Sequence, residues 1–159
     1  MVKITSKEIK LAVLKYYRFN RSMATGTEVR NADVIAITDN LKTSYEVEIK
    51  ISMSDLNKDF ENKRVKHAKL IHDCDYNPNY LYFCVPCALL DKASTVVEDN
   101  NERYGIMVYK RYNNNKPGGY IEIFKNAKKL NSANNDKLYV SLVKRISSEL
   151  VNMYIKYEK

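Results

Sequence analysis

The stretch ADVIAITDNLKTSYEVEIKIS, residues 32–52, holds two runs patterned as strands on either side of a polar turn. In the first run a lone acid, Asp33, precedes the apolar residues Val34 to Ile37. In the second, Tyr45, Val47, Ile49 and Ile51 alternate with Glu46, Glu48, Lys50 and Ser52. Side chains point to opposite faces at successive positions of a strand, so one face is apolar and the other charged. The segment TDNLKT makes the two runs a hairpin-like pair, and antiparallel pairing brings Asp33 towards the Glu48 end of its neighbour. Two carboxylates brought close repel unless a cation lies between them, and a divalent ion with oxygen ligands, typically Mg²⁺, meets that need. Lys50 falls on the same face as Glu48, within reach of a water on such an ion. A solvated outer face of a one-sided sheet is the plain alternative. What weighs against it is the combination: an acid opening one strand, E-x-K on the next, and a helix nearby with a further acid.

Working outward, TSKEIKLAVLKYYRFN places Ile9, Ala12, Val13, Tyr16 and Tyr17 at helical spacing, with Thr5 and Glu8 as a capping box. RSMATGTEVR reads as a connector or short strand. After the charged strand, SDLNKDFENKRVKHAKLIHDC reads as a second helix, capped by Ser54 or Asp55 and striped by Leu56, Phe60, Val65, Ala68 and Ile71. YLYFCVP is apolar throughout, as expected of a strand covered on both faces, and Pro86 ends it. YGIMVYK and YIEIF are strands flanking NNNKPGG, and residues 136–157 form a long amphipathic helix through Leu138, Leu142, Val143, Ile146, Leu150 and Met153. The expected order is α-β-β-α-β-β-β-α, a mixed α/β sheet with helices packed around it, in one domain over residues 1–159.

The chain carries 27 Lys+Arg against 19 Asp+Glu, a net charge of +8, which suits a polyanionic partner such as DNA. An AT-rich gene would also enrich Lys, Asn, Tyr and Ile, but it would not favour Lys over Glu so strongly. Three cysteines, Cys74, Cys84 and Cys87, form an odd set read as reduced thiols; Cys84 and Cys87 make a C-x-x-C without the second ligand pair of a zinc site. No apolar run approaches the ~20 residues of a membrane span, and the charged N-terminus is unlike a secretory signal. The expectation is a cytoplasmic protein without a membrane partner.

The arrangement Asp33, fourteen intervening residues, then Glu48-Ile49-Lys50 resembles the PD-(D/E)xK nuclease superfamily, which has a restriction-endonuclease-like α-β-β-β-α-β core. The order of ADVIAIT, YEVEIKIS, SDLNKDF, VKHAKL and PNYLYFCVP is similar to MmcB-like and related phage-encoded members, including Holliday-junction resolvases, over about residues 5–130. Ala32 stands where the motif nominally has proline. The resemblance implies a metal-dependent DNA endonuclease of repair, recombination or phage DNA processing. Asp33, Glu48 and the main-chain carbonyl of Ile49 would hold Mg²⁺, with Mn²⁺ as a substitute, and Lys50 would orient the attacking water and stabilise charge on the phosphate. Glu8 would be an auxiliary acid, in competition with its capping role and with Glu28. Lys66 would face the site from the second helix, and Lys63, Arg64, Lys66 and His67 would meet nucleic acid. Glu46 lies outside the motif and is read as a surface acid or one behind the ligands. The C-terminal helix is read as a cover for the sheet, the other use open to it being a homodimer, since two symmetric cuts need two sites. A non-catalytic nucleic-acid-binding module on the same fold is the alternative.

Overall fold

The computed structural model describes residues 2–158. A helix, Ser6–Lys15 (α1), runs into a π-helical turn, Tyr16–Asn20, and is followed by strands Ala24–Val29 (β1), Ala32–Ile37 (β2) and Ser44–Ile49 (β3). Next come two short helices, Met53–Asn62 (α2) and Arg64–Lys69 (α3), and strand Tyr80–Pro86 (β4). Helix Leu90–Asn100 (α4), strands Gly105–Arg111 (β5) and Gly119–Lys125 (β6), and helix Asp136–Tyr157 (α5) complete the chain. The six strands form one sheet in sequence order. β1, β2 and β3 are an antiparallel meander, β3, β4 and β5 run parallel through helical crossovers, and β6 returns antiparallel to β5.

Two elements depart from expectation, and a third takes one of its two readings. RSMATGTEVR contains the short strand, β1, joined to β2 by a two-residue turn in which Arg30 and Asn31 both have positive φ, 50° and 67°. Such turns normally advertise themselves with Asn-Gly or Asp-Gly, and this one lacks that signal. The second helix breaks at Lys63, whose φ of −108° and ψ of 29° lie outside the helical region. The break resets the helical phase, so Val65, Ala68 and Ile71 lie exposed instead of continuing the stripe of Leu56 and Phe60. Its N-cap is Ser52, whose hydroxyl accepts from the Asp55 N–H at 3.1 Å, in place of Ser54 or Asp55. Finally, α4 carries no stripe that the sequence reveals, because only Ala93 and Val97 are buried along it.

The sheet's alternation sorts its residues into two layers. Val34, Ala36, Val47, Ile49, Tyr82, Cys84, Met107 and Tyr109 face α1, which buries Ile9, Ala12, Val13 and the following Tyr17 against them. The other face carries two separate apolar clusters. Leu81, Phe83, Val85 and Ile106 pack beneath Leu56 of α2 and Ala93 and Val97 of α4, whereas Ile35 and Ile37 pack beneath Leu138 and Leu142 of α5. Glu46 and Glu48 of β3 lie between them, paired across the ladder with Leu81 and Phe83. The charged face therefore lies in the middle of the sheet.

Close packing fixes Gly105 at the start of β5. A Cβ there would lie 2.2 Å from the Tyr82 ring and 2.7 Å from the Ala127 backbone nitrogen. Neither a packed ring nor backbone yields cheaply, so Gly105→Ala is expected to cost about 3 kcal/mol, at the upper end of overpacking in a core. A urea unfolding midpoint unchanged from wild type would contradict that packing.

Candidate active site

β3 sits in the middle of the sheet, so a carboxylate on it can be kept ionised only if a cation is buried with it. The helix break at Lys63 supplies such cations by turning Lys63 and Lys66 down onto the strand. Lys66 Nζ donates to Glu46 and, at 2.7 Å, to Glu48 Oε1. Lys63 Nζ lies 3.3 Å from Glu48 Oε2 and 2.8 Å from Asp59 Oδ2. Lys50, just past the end of β3, reaches Asp59 at 2.6 Å and Glu48 at 3.5 Å. His67 Nε2 meets Asp59 Oδ1 at 2.9 Å while its Nδ1 meets the Tyr104 hydroxyl at 2.8 Å. The cluster holds three carboxylates, Glu46, Glu48 and Asp59, and three lysines, Lys50, Lys63 and Lys66, a balanced set of charges.

Glu46, read from sequence as a surface acid or one behind the ligands, is only 4% exposed. That rules out the surface reading: strand alternation shows which face a residue takes, not what covers that face, and α3 covers this one. Asp59 was not singled out at all, although its spacing of four to Lys63 and eight to His67 would have put the three on one helical side.

Burial is the largest influence on Glu46 and pushes its carboxyl up to about 7, with the Glu48 charge adding to the shift and Lys66 opposing it. Burial also works against the charge on Glu48, but Lys66 and Lys63 prevail and hold it below the ordinary carboxylate range. Asp59 shows the same contest: hydrogen bonds from His67, Lys50 and Lys63 overcome desolvation and hold it well down. Lys66 loses hydration yet is raised by the Glu46 and Glu48 charges. In this pair of neighbouring glutamates, Glu46 takes a proton first.

Asp33 stands at the same end of the sheet. The β2–β3 register pairs Val34 with Val47, and one further step sets Asp33 opposite Glu48. Its Oδ2 accepts from the Ile49 N–H at 2.8 Å, so the carboxylate is tied to the peptide between Glu48 and Lys50. The Ile49 side chain turns the other way, into the core beneath α1. Lys10 Nζ lies 3.6 Å from Asp33 Oδ1 and also pairs with Glu28, which links Glu28 to Asp33 through one lysine.

Glu8 is held elsewhere. Its N–H caps onto Thr5 Oγ1 at 3.2 Å, as the capping box requires. Its carboxylate takes two bonds from Arg111, both 2.7 Å, and is also bonded by the Tyr109 hydroxyl and the Gly118 N–H. Among the described residues it makes no ion pair with Lys50 or Lys10, the lysines beside Glu48 and Asp33. The Arg111 bonds hold its carboxyl down at about 2. A carboxyl depressed by folding adds stability above its ordinary value of 4.5 and loses it as pH falls through the folded value. The melting temperature is therefore expected to drop between about pH 4.5 and 2, and Glu8→Gln should flatten part of that drop; a pH series of thermal melts reads it directly.

Arg64 lies exposed beside a shallow cavity of about 550 Å³ that His67 and Phe60 also line. On the other flank of α3 a larger cavity, about 720 Å³, reaches Glu46 and Lys66 and is bounded by Arg30, Lys69 and Tyr76. The Arg30 guanidinium lies 3.7 Å from the Tyr76 ring centre. Tyr76, like Arg30, has a positive φ, 72°, a conformation such residues seldom adopt outside constrained sites. A third opening, about 230 Å³, is lined by Lys50, Asp59 and Lys63 on the α2 side.

Among the described residues no three acidic, histidine or cysteine side chains converge to hold an ion. Asp33 and Glu48 supply two carboxylates. That number suits Mg²⁺, which keeps several waters and binds through one or two carboxylates together with substrate phosphates. The fit carries one condition: both Glu48 oxygens face lysines, so Lys66 and Lys63 must yield for the carboxylate to take another cation.

No helix among the described residues is long and apolar enough to cross a membrane. No protein-family model, curated protein or solved structure matches the chain significantly.

Proposed function

We propose that this protein is a metal-dependent nuclease whose working edge is Asp33, Glu48 and Lys50, with DNA as its substrate. The observation that carries the reading is the placement of Asp33 opposite Glu48 on adjacent strands, with Asp33 bonded to the Ile49 N–H and Lys50 beside Glu48. The order α1-β1-β2-β3-α2-α3-β4, with β3 and β4 parallel, supports it further: with α2 and α3 taken together as one broken helix, it follows the α-β-β-β-α-β order of the PD-(D/E)xK core.

A bound Mg²⁺ would supply hydroxide near neutral pH and neutralise charge on the scissile phosphate. The rest falls to the chain's own groups. Asp33 and Glu48 would hold the ion, and the Ile49 N–H fixes the rotamer of Asp33. Lys50, held at its far side by Asp59, is kept at the phosphate end of Glu48 and favours negative charge developing there. Lys63 and Lys66 neutralise Glu48 while no substrate is bound. An incoming phosphodiester offers them oxygens of its own, so they turn towards it and release Glu48. Cation and nucleic acid would accordingly bind better together than separately. Arg30 and Lys69, at the mouth of the 720 Å³ cavity, are placed to steer the phosphate backbone, with the salt sensitivity such contacts bring.

A nicking assay on supercoiled plasmid and branched DNA tests the proposal. Wild type is expected to cleave with Mg²⁺ or Mn²⁺ and to stop with chelator, and Asp33→Asn is expected to fold normally and not cleave. Equal cleavage by both proteins would sink the idea. One observation favours a second reading, a nucleic-acid-binding module without catalysis: the balanced charges of the Glu46–Glu48–Asp59 cluster. DNA binding unaffected by divalent ions, with no cleavage, would mark that outcome.

A further inference from the structure

The N-terminal half of α5 packs on the sheet, and the helix runs clear of it after Glu149. Leu138 and Leu142 are buried against β1 and β2, and the last ties to the sheet are Arg145 Nε to the Thr27 carbonyl and the Thr27 hydroxyl to Glu149. Every residue from Leu150 to Glu158 is exposed. The sequence reading ran one core stripe through Ile146, Leu150 and Met153, and these are 39%, 49% and 49% exposed.

This free face is not a solvated polar one. Val143, Leu150 and Tyr157 recur every seventh residue, flanked by Ile146 and Met153 on one side and by Val140 and Tyr154 on the other. All seven are exposed. From Leu150 to Ile155 no residue is charged, and Glu149 is engaged by Thr27 and Arg145. A solvent-facing helix of a monomer normally places charges on the side away from the core. A seven-residue apolar repeat is instead the pattern of a helix that packs against another helix.

We propose that the occupant is α5 of a second copy, paired antiparallel about a two-fold axis at Leu150. In that register Leu150 meets its own counterpart, and Val143 meets Tyr157 of the other chain. The arrangement is self-complementary, as a two-fold interface must be. With aromatic side chains offering about 150–250 Å² each, the exposed part of this face is on the order of 700 Å², close to the roughly 800 Å² each partner contributes to a standard interface. The stripe therefore has about the area a stable dimer needs without help from another surface. The inference uses nothing of the nuclease reading.

Thiol cross-linking of the full chain tests both the dimer and its register. Exposed Cys74 and Cys87 are replaced by serine, which leaves only buried Cys84. Leu150→Cys is then expected to cross-link to itself on mild oxidation. Val143→Cys and Tyr157→Cys are expected to cross-link efficiently only when mixed. In sedimentation, wild type should run as a dimer at tens of micromolar, and Leu150→Glu with Met153→Glu as a monomer with an unchanged circular dichroism spectrum. A wild-type monomer would overturn the proposal, including one that binds lipid vesicles or another protein through this helix. So would a dimer indifferent to both the glutamates and the cysteine register.

Discussion

Lys66→Met is expected to destabilise the protein by about 3–5 kcal/mol at about pH 8, the cost of breaking a buried ion pair from one side. A surface ion pair would be worth at most about 1 kcal/mol, so burial decides the magnitude. Glu46 and Glu48 side chains are 5% and 4% exposed, and Lys66 contacts both. Without the lysine Glu46 has no other ion pair among the described residues. The sign of the pH dependence follows from the raised carboxyl of Glu46. Folding raises it from 4.5 to about 7, so the folded state holds a proton that the unfolded state has released. Its contribution to stability is present at low pH and lost as pH rises from about 4.5 through 7. Removing Lys66 raises it further, so the deficit of the variant should be smaller at about pH 6 than at pH 8. Glu46→Gln in the Lys66→Met background is expected to recover much of the loss, because an amide leaves no buried charge unpaired. Urea unfolding of wild type and the two variants at the two pH values reads all of this. A Lys66→Met protein as stable as wild type at both would mean that the cluster is open to water.

Asp59→Asn is expected to affect both stability and rate. Asp59, with a side chain 1% exposed, accepts from Lys50, Lys63 and His67, and it ties α2 and α3 to the end of β3. Replacing the carboxylate with an amide leaves the two lysines short of their counter-charge and should cost about 3 kcal/mol. Lys50 would also swing free of its far-side anchor, and misplacing a group in an active site by about 1 Å can cost on the order of 10²-fold in rate. On the proposed function Asp59 would be a positioning residue, since its oxygens are taken up by Lys50, Lys63 and His67. Mn²⁺ affinity should therefore hold while cleavage slows, whereas Asp33→Asn should lose both. Loss of Mn²⁺ affinity in Asp59→Asn would contradict the division of roles.

What was legible in the sequence is what a strand's period of two determines. The alternation of Tyr45 to Ile51 gave the two faces of β3, and the apolar run of YLYFCVP marked β4 as a strand covered on both sides. The distance from Asp33 to Glu48, with a turn between, was enough to place the two acids opposite one another. What alternation leaves open is the identity of the cover. Alternation does not reveal that the charged face of β3 is covered by α3, which brings its own lysines to it, and that depends on a break at Lys63 that no Gly or Pro announces. The commitment of Glu8 to Arg111 was equally hidden, because 103 residues separate the two and the packing of α1 across β5 brings them together. In α5 the apolar spacing was read correctly and its burial was not, because a stripe of this kind looks the same whether it faces its own sheet or a second chain.

The measurement that bears most directly on the central claim is a crystal soaked in Mn²⁺ together with a short DNA strand. The account expects an anomalous peak about 2 Å from oxygens of both Asp33 and Glu48, with Lys66 and Lys63 turned from Glu48 onto phosphate oxygens. Bound DNA with no peak there, and with both lysines still paired to Glu48, would contradict it.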